Sequence, residues 1–474
     1  MNLATGDLLR ATGGKLFFGE ENVIFQGVST DSRTVVQGEL FIALKGSRFD
    51  AHRFVLDALG KKAAGVMIDE ERARDIHWNG NPQGVVITVK DTLQALGDLA
   101  RDRRRHHRSP VVALTGSNGK TTTKEMISAC LETSLPILKT MGNLNNLIGL
   151  PVTLLNLTGE ERAVVLEMGM NVPGEIRRLT EIAEPDIALI TNIEKVHLKG
   201  MGSLEKLKEE KGELFRRMRK DGTILVNQDD PRVVSLADEY PGRKITFGVV
   251  NPAEVMAREI RLMGHEGTAF TLVLRESGGE LGGGEGMRIT LPLLGRHFVP
   301  DALAAIAVAS LFGIEMKKVK EALEQLNPFP MRMEVRQLEG GQTLINDAYN
   351  ANPRSMDVAL ETVAELKGCG RAIAVLGDML EMGEFSERAH IELGEKVQEL
   401  SIDFLLTLGE WSSIVVESAI RHGAEPGRAR RVESHQEAIA TLKQVIQNGD
   451  WILVKGSRGM AMEKIVEGLT GREN

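Results

Sequence analysis

The run VVALTGSNGKTT (residues 111–122) places Gly-Lys-Thr where a buried strand pattern gives way to a helical one. A standard phosphate loop has the spacing G-x-x-x-x-G-K-[ST]. Counting back from Gly119, its first glycine would fall at Leu114; Gly116 stands there two residues late, giving a tighter G-x-x-G-K-T. The chemistry survives the shortening. Successive backbone N–H groups of Gly116, Ser117, Asn118 and Gly119, with the helix start at Lys120, Thr121 and Thr122, suit phosphate oxygens. Lys120 adds a mobile charge and Thr121 a hydroxyl for Mg²⁺. An ordinary glycine turn is the bland alternative, but strand, turn and helix in this order favour nucleotide binding.

Residues 203–215, SLEKLKEEKGELF, raise a second chemical question. On a helix, Leu204, Leu207, Leu214 and Phe215 form one apolar stripe, and Lys211 occupies the same stripe. Glu209, Glu210 and Glu213 point elsewhere, so nothing on the helix neutralises the ammonium well. Snorkelling, with the stem packed and the charge in water, is the ordinary reading of such a lysine. The other reading is a desolvated amine, which loses its proton easily and becomes reactive.

The elements that must position these residues fall into three blocks, 1–108, 109–326 and 327–474. The first has short strands (LFIAL, GVMI, GVVITV) and a polar, basic helix from about Thr92. The second alternates buried strands (VVAL, AVVLEMG, DIALITNI, TILVNQDD) with helices, as a parallel sheet does. Residues 255–293 alternate like antiparallel strands, 278–286 read as a glycine-rich loop, and a helix begins near Asp301. After the linker Asn327–Pro330, the third block repeats the logic in AIAVLGDM, FLLTLGE and WILVKGS.

The totals restrict the function. A chain of 474 residues with 42% apolar content is a multidomain globular protein. A net charge of −8 argues against general nucleic-acid binding. The basic run Arg101–Arg108 lacks aromatic platforms and reads as a solvated helix end or linker. Two cysteines in no metal spacing, Cys130 and Cys369, suggest core residues in a reducing compartment. The N-terminus lacks a signal-peptide pattern, and the longest apolar stretch, 302–314, is too short for a bilayer. A cytoplasmic protein without membrane insertion is expected.

The phosphate loop, NDAYNANPRSM (346–356), GDMLEMGE (377–384), VKGSRGMAME (455–463), STDSR (29–33) and FDAH (49–52) together resemble the Mur ligase superfamily, over nearly the whole chain. That resemblance implies a three-domain α/β fold: a smaller N-terminal α/β domain, a central phosphate-loop domain whose parallel sheet carries an antiparallel portion, and a Rossmann-like C-terminal domain. It implies ATP-dependent amide-bond formation through an acyl phosphate. The Tyr-Asn-Ala-Asn-Pro wording is similar to the branch that adds D-alanyl-D-alanine to UDP-N-acetylmuramoyl-tripeptide; sister ligases and folylpolyglutamate synthases typically carry His-Asn-Pro there. The implied partners are those two substrates, and a monomer is expected. The rivals are a ligase adding the third residue, a folylpolyglutamate-synthase-like ligase, and a regulator or motor that hydrolyses ATP without an amine.

The same resemblance assigns residues. Glu167 and His197 stand at Mg²⁺-ligand positions, although Glu194 replaces a usual glycine near His197. Lys211 matches a lysine that CO₂ carbamylates, turning a cation into a metal-binding anion. His297 belongs to a Gly-x-His adenine-pocket pattern in which Asp301 replaces asparagine. Asparagine both donates to N7 and accepts from N6 of adenine, whereas an ionised aspartate only accepts. A helix N-cap is the bland reading of Asp301. Arg332 matches an arginine that reaches ATP phosphate, and Asp347 lies near the ribose. Asn350, Asn352, Lys455, Ser457 and Arg458 are expected at nucleotide or peptide substrate. Ser29, Thr30, Asp31, Ser32 and Arg33 resemble the nucleotide-sugar site, beside a corner where Asp50-Ala51-His52 replaces Asp-Gly-His.

Overall fold

The structure is a computed structural model describing residues 3–46, 49–78, 82–194, 202–275 and 286–471. His197 and nearly all of the glycine-rich loop at 278–286 lie outside the described residues. The architecture is α/β, as expected, with three larger sheets and a two-stranded pair of Leu3–Ala4 with Ile24–Phe25 among the described residues.

The first system is a five-stranded sheet in the order Lys15–Phe18, Val85–Val89, Gly65–Asp69, Glu39–Ile42, Gly27–Ser29, parallel except for its first strand. The second has nine strands. Ile137–Lys139, Ala163–Glu167, Val111–Thr115, Ile187–Ile190, Thr223–Asn227, Arg243–Gly248 and Val255–Leu262 run parallel; Thr268–Leu274 and Met287–Leu291 then add antiparallel. The third has six, with Glu334–Gln337 the antiparallel edge of an otherwise parallel sheet.

Parallel strands covered on both faces need apolar residues throughout rather than in alternation. Val111–Thr115, Ala163–Glu167 and Ile187–Ile190 are buried at every position for that reason. Thr115 and Glu167 end the first two and Thr191 follows the third, and ligands of such sheets bind at those ends. One face of the central sheet is covered by Lys120–Glu132 and Phe298–Leu311, which pack on each other. The latter helix takes in most of the apolar 302–314 run, and residues 302–309 are buried in the core. Among the described residues no helix is long and apolar enough to cross a membrane.

Two expectations fail here. The basic run is not a solvated end. It closes the helix Thr92–His106, where Arg104 is 7% exposed and donates to Ala183 O (3.0 Å) and Asp186 Oδ2 (2.7 Å). Arg101 and Arg105 grip Glu184, so the run clamps the first block to the second. Glu184 is left-handed (φ 41°) at the end of its own helix, a local geometry that the sequence spacing did not disclose. Cys130 is a core residue, its thiol pushed up to about 12 by burial, but Cys369 is exposed.

Candidate active site

Gly116 ends the strand Val111–Thr115 so tightly against Thr191 that a Cβ would stand 1.8 Å from Thr191 Oγ1. Gly119, with φ +79°, caps the helix Lys120–Glu132 from the left-handed region that glycine tolerates. The loop between them is braced from behind. Ser117 N donates to Asn192 O (2.9 Å), and Asn118 N to Asn192 Oδ1 (2.9 Å). Two loop amides expected to cradle phosphate are thus occupied by Asn192. The donors for an anion are the first N–H groups of the helix, which have no intrahelical partner.

Two ammonium groups converge on one carbonyl. Lys120 Nζ donates to Gly116 O at 2.8 Å and Ser117 O at 3.2 Å. Lys211 Nζ, from the helix Leu204–Arg216, donates to the same Gly116 O at 2.8 Å. Lys211 is 2% exposed, which overturns the snorkelling reading: Leu207, Leu214 and Phe215 are buried beside it and its charge does not reach water. Burial, then the neighbouring Lys120 charge, hold its pKa well below the ordinary lysine value. Lys120 is lowered too, by burial, with Glu167 opposing and Arg332 adding to the shift. The helix's glutamates are engaged elsewhere, Glu209 and Glu213 with Arg216 and Glu210 with Gly174 N.

Glu167 ends its strand 2% exposed; its Oε1 accepts from Asn145 Nδ2 (2.7 Å), while Oε2 is buried without a partner. An unsatisfied buried carboxylate oxygen costs stability unless a cation meets it. It lines the same cleft as Thr121, Lys120 and Lys211. This donor set fits Mg²⁺ that completes its shell with phosphate oxygens and water. Among the described residues no cluster of three acidic, His or Cys side chains forms a protein-only metal cage.

The cleft has a volume of about 720 Å³ and is walled on its other side by the third block. Arg332 Cζ stands over the Tyr349 ring (4.0 Å to the centroid), and its Nη2 donates to Thr121 Oγ1 (3.3 Å). Asn352 explains the Asn-Pro wording: its Oδ1 caps the helix Pro353–Leu366, Pro353 takes a first-turn position, and Nδ2 donates to Asn118 Oδ1 (2.7 Å). Arg354 stands 3.7 Å from Glu194, which also accepts from Asn118 Nδ2. Asp347 pairs with the buried Lys455, which donates onward to Asn350 O (3.0 Å). His297 and Asp301 line the cleft beside Phe247. The His297 pKa is pushed down to about 4 by burial, leaving a neutral ring. Asp301 is not a helix cap: the helix Phe298–Leu311 starts earlier, with His297 at its N-cap.

Ser457 and Arg458 line a smaller adjoining pocket of about 280 Å³, together with Ser117, Asn350 and Asn352. Ser29–Arg33 do not line the cleft. They form a turn leaving the first sheet's edge strand Gly27–Ser29, with Lys61 Nζ donating to Ser32 O (2.7 Å) and Arg33 gripping Asp31 and holding its carboxyl down to about 2. Asp50-Ala51-His52 is an ordered corner: Asp50 Oδ1 and His52 Nδ1 are 2.6 Å apart, and Asp69 N donates to His52 Nε2. Sequence reasoning missed Asn145, Asn192, Thr123 and Arg354. The side-chain contacts that bring them to the site, to Glu167, Asn118, Asp301 and Glu194, reach across distant segments, so no local spacing marks them.

Three family models match: Mur ligase family, catalytic domain (residues 24–104), Mur ligase middle domain (114–309), and Mur ligase, glutamate ligase domain (331–458). The chain is 38% identical over 451 residues to the UDP-N-acetylmuramoyl-tripeptide–D-alanyl-D-alanine ligase of Bacillus subtilis (strain 168), covering 95% of this chain and 94% of that one. It is 36% identical to the Escherichia coli (strain K12) enzyme of the same name, over 94% of each chain. Its fold is similar to the crystal structure of MurF from Acinetobacter baumannii, with TM-score 0.88, 30% identity and coverage of 100% and 99%. MurF ligase from Thermotoga maritima in complex with ADP superimposes with TM-score 0.80 at 25% identity, covering 94% and 97%. A phosphate loop facing a buried lysine and a carboxylate, on a fold matched from end to end, leaves one assignment: the chain belongs to the Mur ligase family.

Proposed function

We propose that this chain is an ATP-dependent ligase joining UDP-N-acetylmuramoyl-tripeptide to D-alanyl-D-alanine, with release of ADP and phosphate. The observation that carries the reading is the convergence, in one cleft, of a helix N-terminus, two lysines on one carbonyl and a buried carboxylate oxygen without a partner. Residues 1–108, 109–326 and 327–474 are taken as the nucleotide-sugar, ATP and C-terminal ligase domains of a monomer.

A carboxylate resists an amine until one of its oxygens becomes a leaving group. Its attack on the γ-phosphorus of ATP breaks the bond to ADP and forms an acyl phosphate; the amine then displaces phosphate and loses a proton. This chain supplies positive charge around crowded phosphates. The amides at Lys120, Thr121 and Thr122 and the Lys120 ammonium hold the β- and γ-phosphates. Arg332 meets the same phosphates from the third domain. Thr121 and Glu167 would hold Mg²⁺, which supplies further charge neutralisation; His197 and a carbamylated Lys211 complete that set by resemblance. His297 and Asp301 adjoin the adenine, and Asp347, fixed by Lys455, adjoins the ribose. Ser29–Arg33 take the nucleotide sugar. The smaller pocket suits a dipeptide, with Arg458, paired through Nη1 to Glu463 Oε1 (3.1 Å), in its wall. Contacts between Asn352 and Asn118 and between Arg354 and Glu194 join the domains over the loop and exclude water, which would otherwise hydrolyse the acyl phosphate.

An acceptor-by-donor panel reading phosphate release tests this. Release should need both UDP-N-acetylmuramoyl-tripeptide and D-alanyl-D-alanine. Release driven equally by diaminopimelate, lysine or glutamate would favour a sister ligase, and release without any amine would favour a regulator or motor.

A further inference from the structure

The segment after the strand Ala372–Gly377 walls the smaller pocket with Leu380, Glu381 and Met382. Glu381 sits there at φ 64°, a left-handed conformation that a glutamate keeps only when its surroundings enforce it. Three hydrogen bonds pin the backbone where this wall begins. Ser457 N donates to Asp378 O (3.1 Å), Leu380 N to Ser457 Oγ (2.8 Å), and Met379 N to His390 Nε2 (3.0 Å). Ser457 is itself part of the pocket lining. His390 is not; it reaches Met379 from behind, from the helix Ser386–Glu399.

We propose that His390 is a positioning residue for the second substrate: as a neutral imidazole it holds Met379, and through it the 380–382 wall, in the shape that receives the dipeptide. The inference rests on the smaller pocket being the dipeptide site.

The hydrogen bonds fix the form of the ring. Nδ1 lies 2.7 Å from Ser386 O, and a carbonyl only accepts, so Nδ1 carries the proton. A backbone N–H only donates, so Nε2 must offer Met379 a lone pair. A second proton, on Nε2, would expel Met379. Asp378 does not draw one there. Its Oδ1 is 3.9 Å from Nε2, too far for a hydrogen bond, and its oxygens accept from Trp411 N (3.2 Å) and Glu410 N (2.7 Å). His390 is 1% exposed and stacks on Trp411, with ring centroids 5.6 Å apart and planes 19° apart. Burial holds its pKa below the ordinary histidine value, against the Ser386 carbonyl and the Asp378 charge.

The wall is short and anchored at both ends. Met379 and Met382 are buried, and Leu380 between them is exposed. Releasing Met379 therefore lets the pocket lining shift while the phosphate loop, held by Asn192 and Asn352, stays where it is.

The experiment compares kcat and the three KM values of the wild type, His390→Ala and His390→Gln, reading phosphate release and pentapeptide together. Alanine should raise KM for D-alanyl-D-alanine about tenfold, the order of one hydrogen bond lost with its partner left buried. KM for ATP and for UDP-N-acetylmuramoyl-tripeptide, and kcat at saturating dipeptide, should stay within about twofold, because the lost contact shapes only the dipeptide's pocket. Glutamine can offer Met379 N a carboxamide oxygen and should recover most of the dipeptide affinity. A fall in kcat with dipeptide KM unchanged, an equal rise in all three KM values, or glutamine no better than alanine would overturn the inference. Wild-type enzyme that ignores the dipeptide would instead overturn the proposed function. Should the variants fail to fold, ¹⁵N-labelled histidine in the wild type decides. A proton on Nδ1 and none on Nε2, with the His390 ring signals moved by saturating dipeptide, supports the positioning role; a proton on Nε2, or ring signals that the dipeptide leaves unmoved, contradicts it.

Discussion

Lys211→Ala should lower ligation by more than about 10³-fold, beyond the loss of a single preorganised donor. An unperturbed lysine, with pKa about 10.4, is almost wholly protonated at neutral pH and does not react with CO₂. Lys211 is different because burial and the Lys120 charge both disfavour its ammonium. In the carbamylation proposed above, its neutral amine would add CO₂ and release a proton, giving a carbamate. That step also changes the sign of a local interaction. Two ammonium groups sharing Gly116 O repel, whereas a carbamate beside Lys120 attracts it and offers oxygens to Mg²⁺. Formate or acetate should therefore restore part of the activity of Lys211→Ala by refilling the anionic position. Lys211→Arg should stay inactive, since a guanidinium keeps its charge and forms no carbamate. Near-normal turnover in the arginine variant would remove the carbamate from the account.

Lys120→Ala should lower turnover by roughly 10²–10³, the scale for losing one preorganised charge at a developing negative charge. The loss should appear mainly in kcat, since phosphoryl transfer concentrates charge on the oxygens that Lys120 faces. The helix N–H groups and Arg332 remain to hold nucleotide, so ADP binding should weaken far less. More than half of wild-type activity in this variant would contradict the phosphate-loop assignment.

Much of the fold was legible because buried parallel strands are written as unbroken apolar runs. Val111–Thr115 and Ala163–Glu167 could be located from their apolar runs, with Lys120 opening the helix after the first and Glu167 ending the second. Lys211 was legible as an anomaly on its stripe, but whether its charge reached water depended on what covered that face. Long-range contacts were not legible. Asn192 occupying two loop amides, Arg104 reaching Asp186 and Thr123 touching Asp301 depend on the packing of distant segments. The Asp301 cap reading failed because the helix begins at Phe298, and helix starts are weakly marked when His297 supplies no side-chain cap.

The most direct measurement uses UDP-N-acetylmuramoyl-tripeptide labelled with ¹⁸O in the carboxylate that is to be joined, incubated with ATP, Mg²⁺ and D-alanyl-D-alanine. Ligation through an acyl phosphate predicts one ¹⁸O in each phosphate released, and a pentapeptide product formed in equal amount. Phosphate without the label, or released at the same rate when the dipeptide is left out, would contradict it.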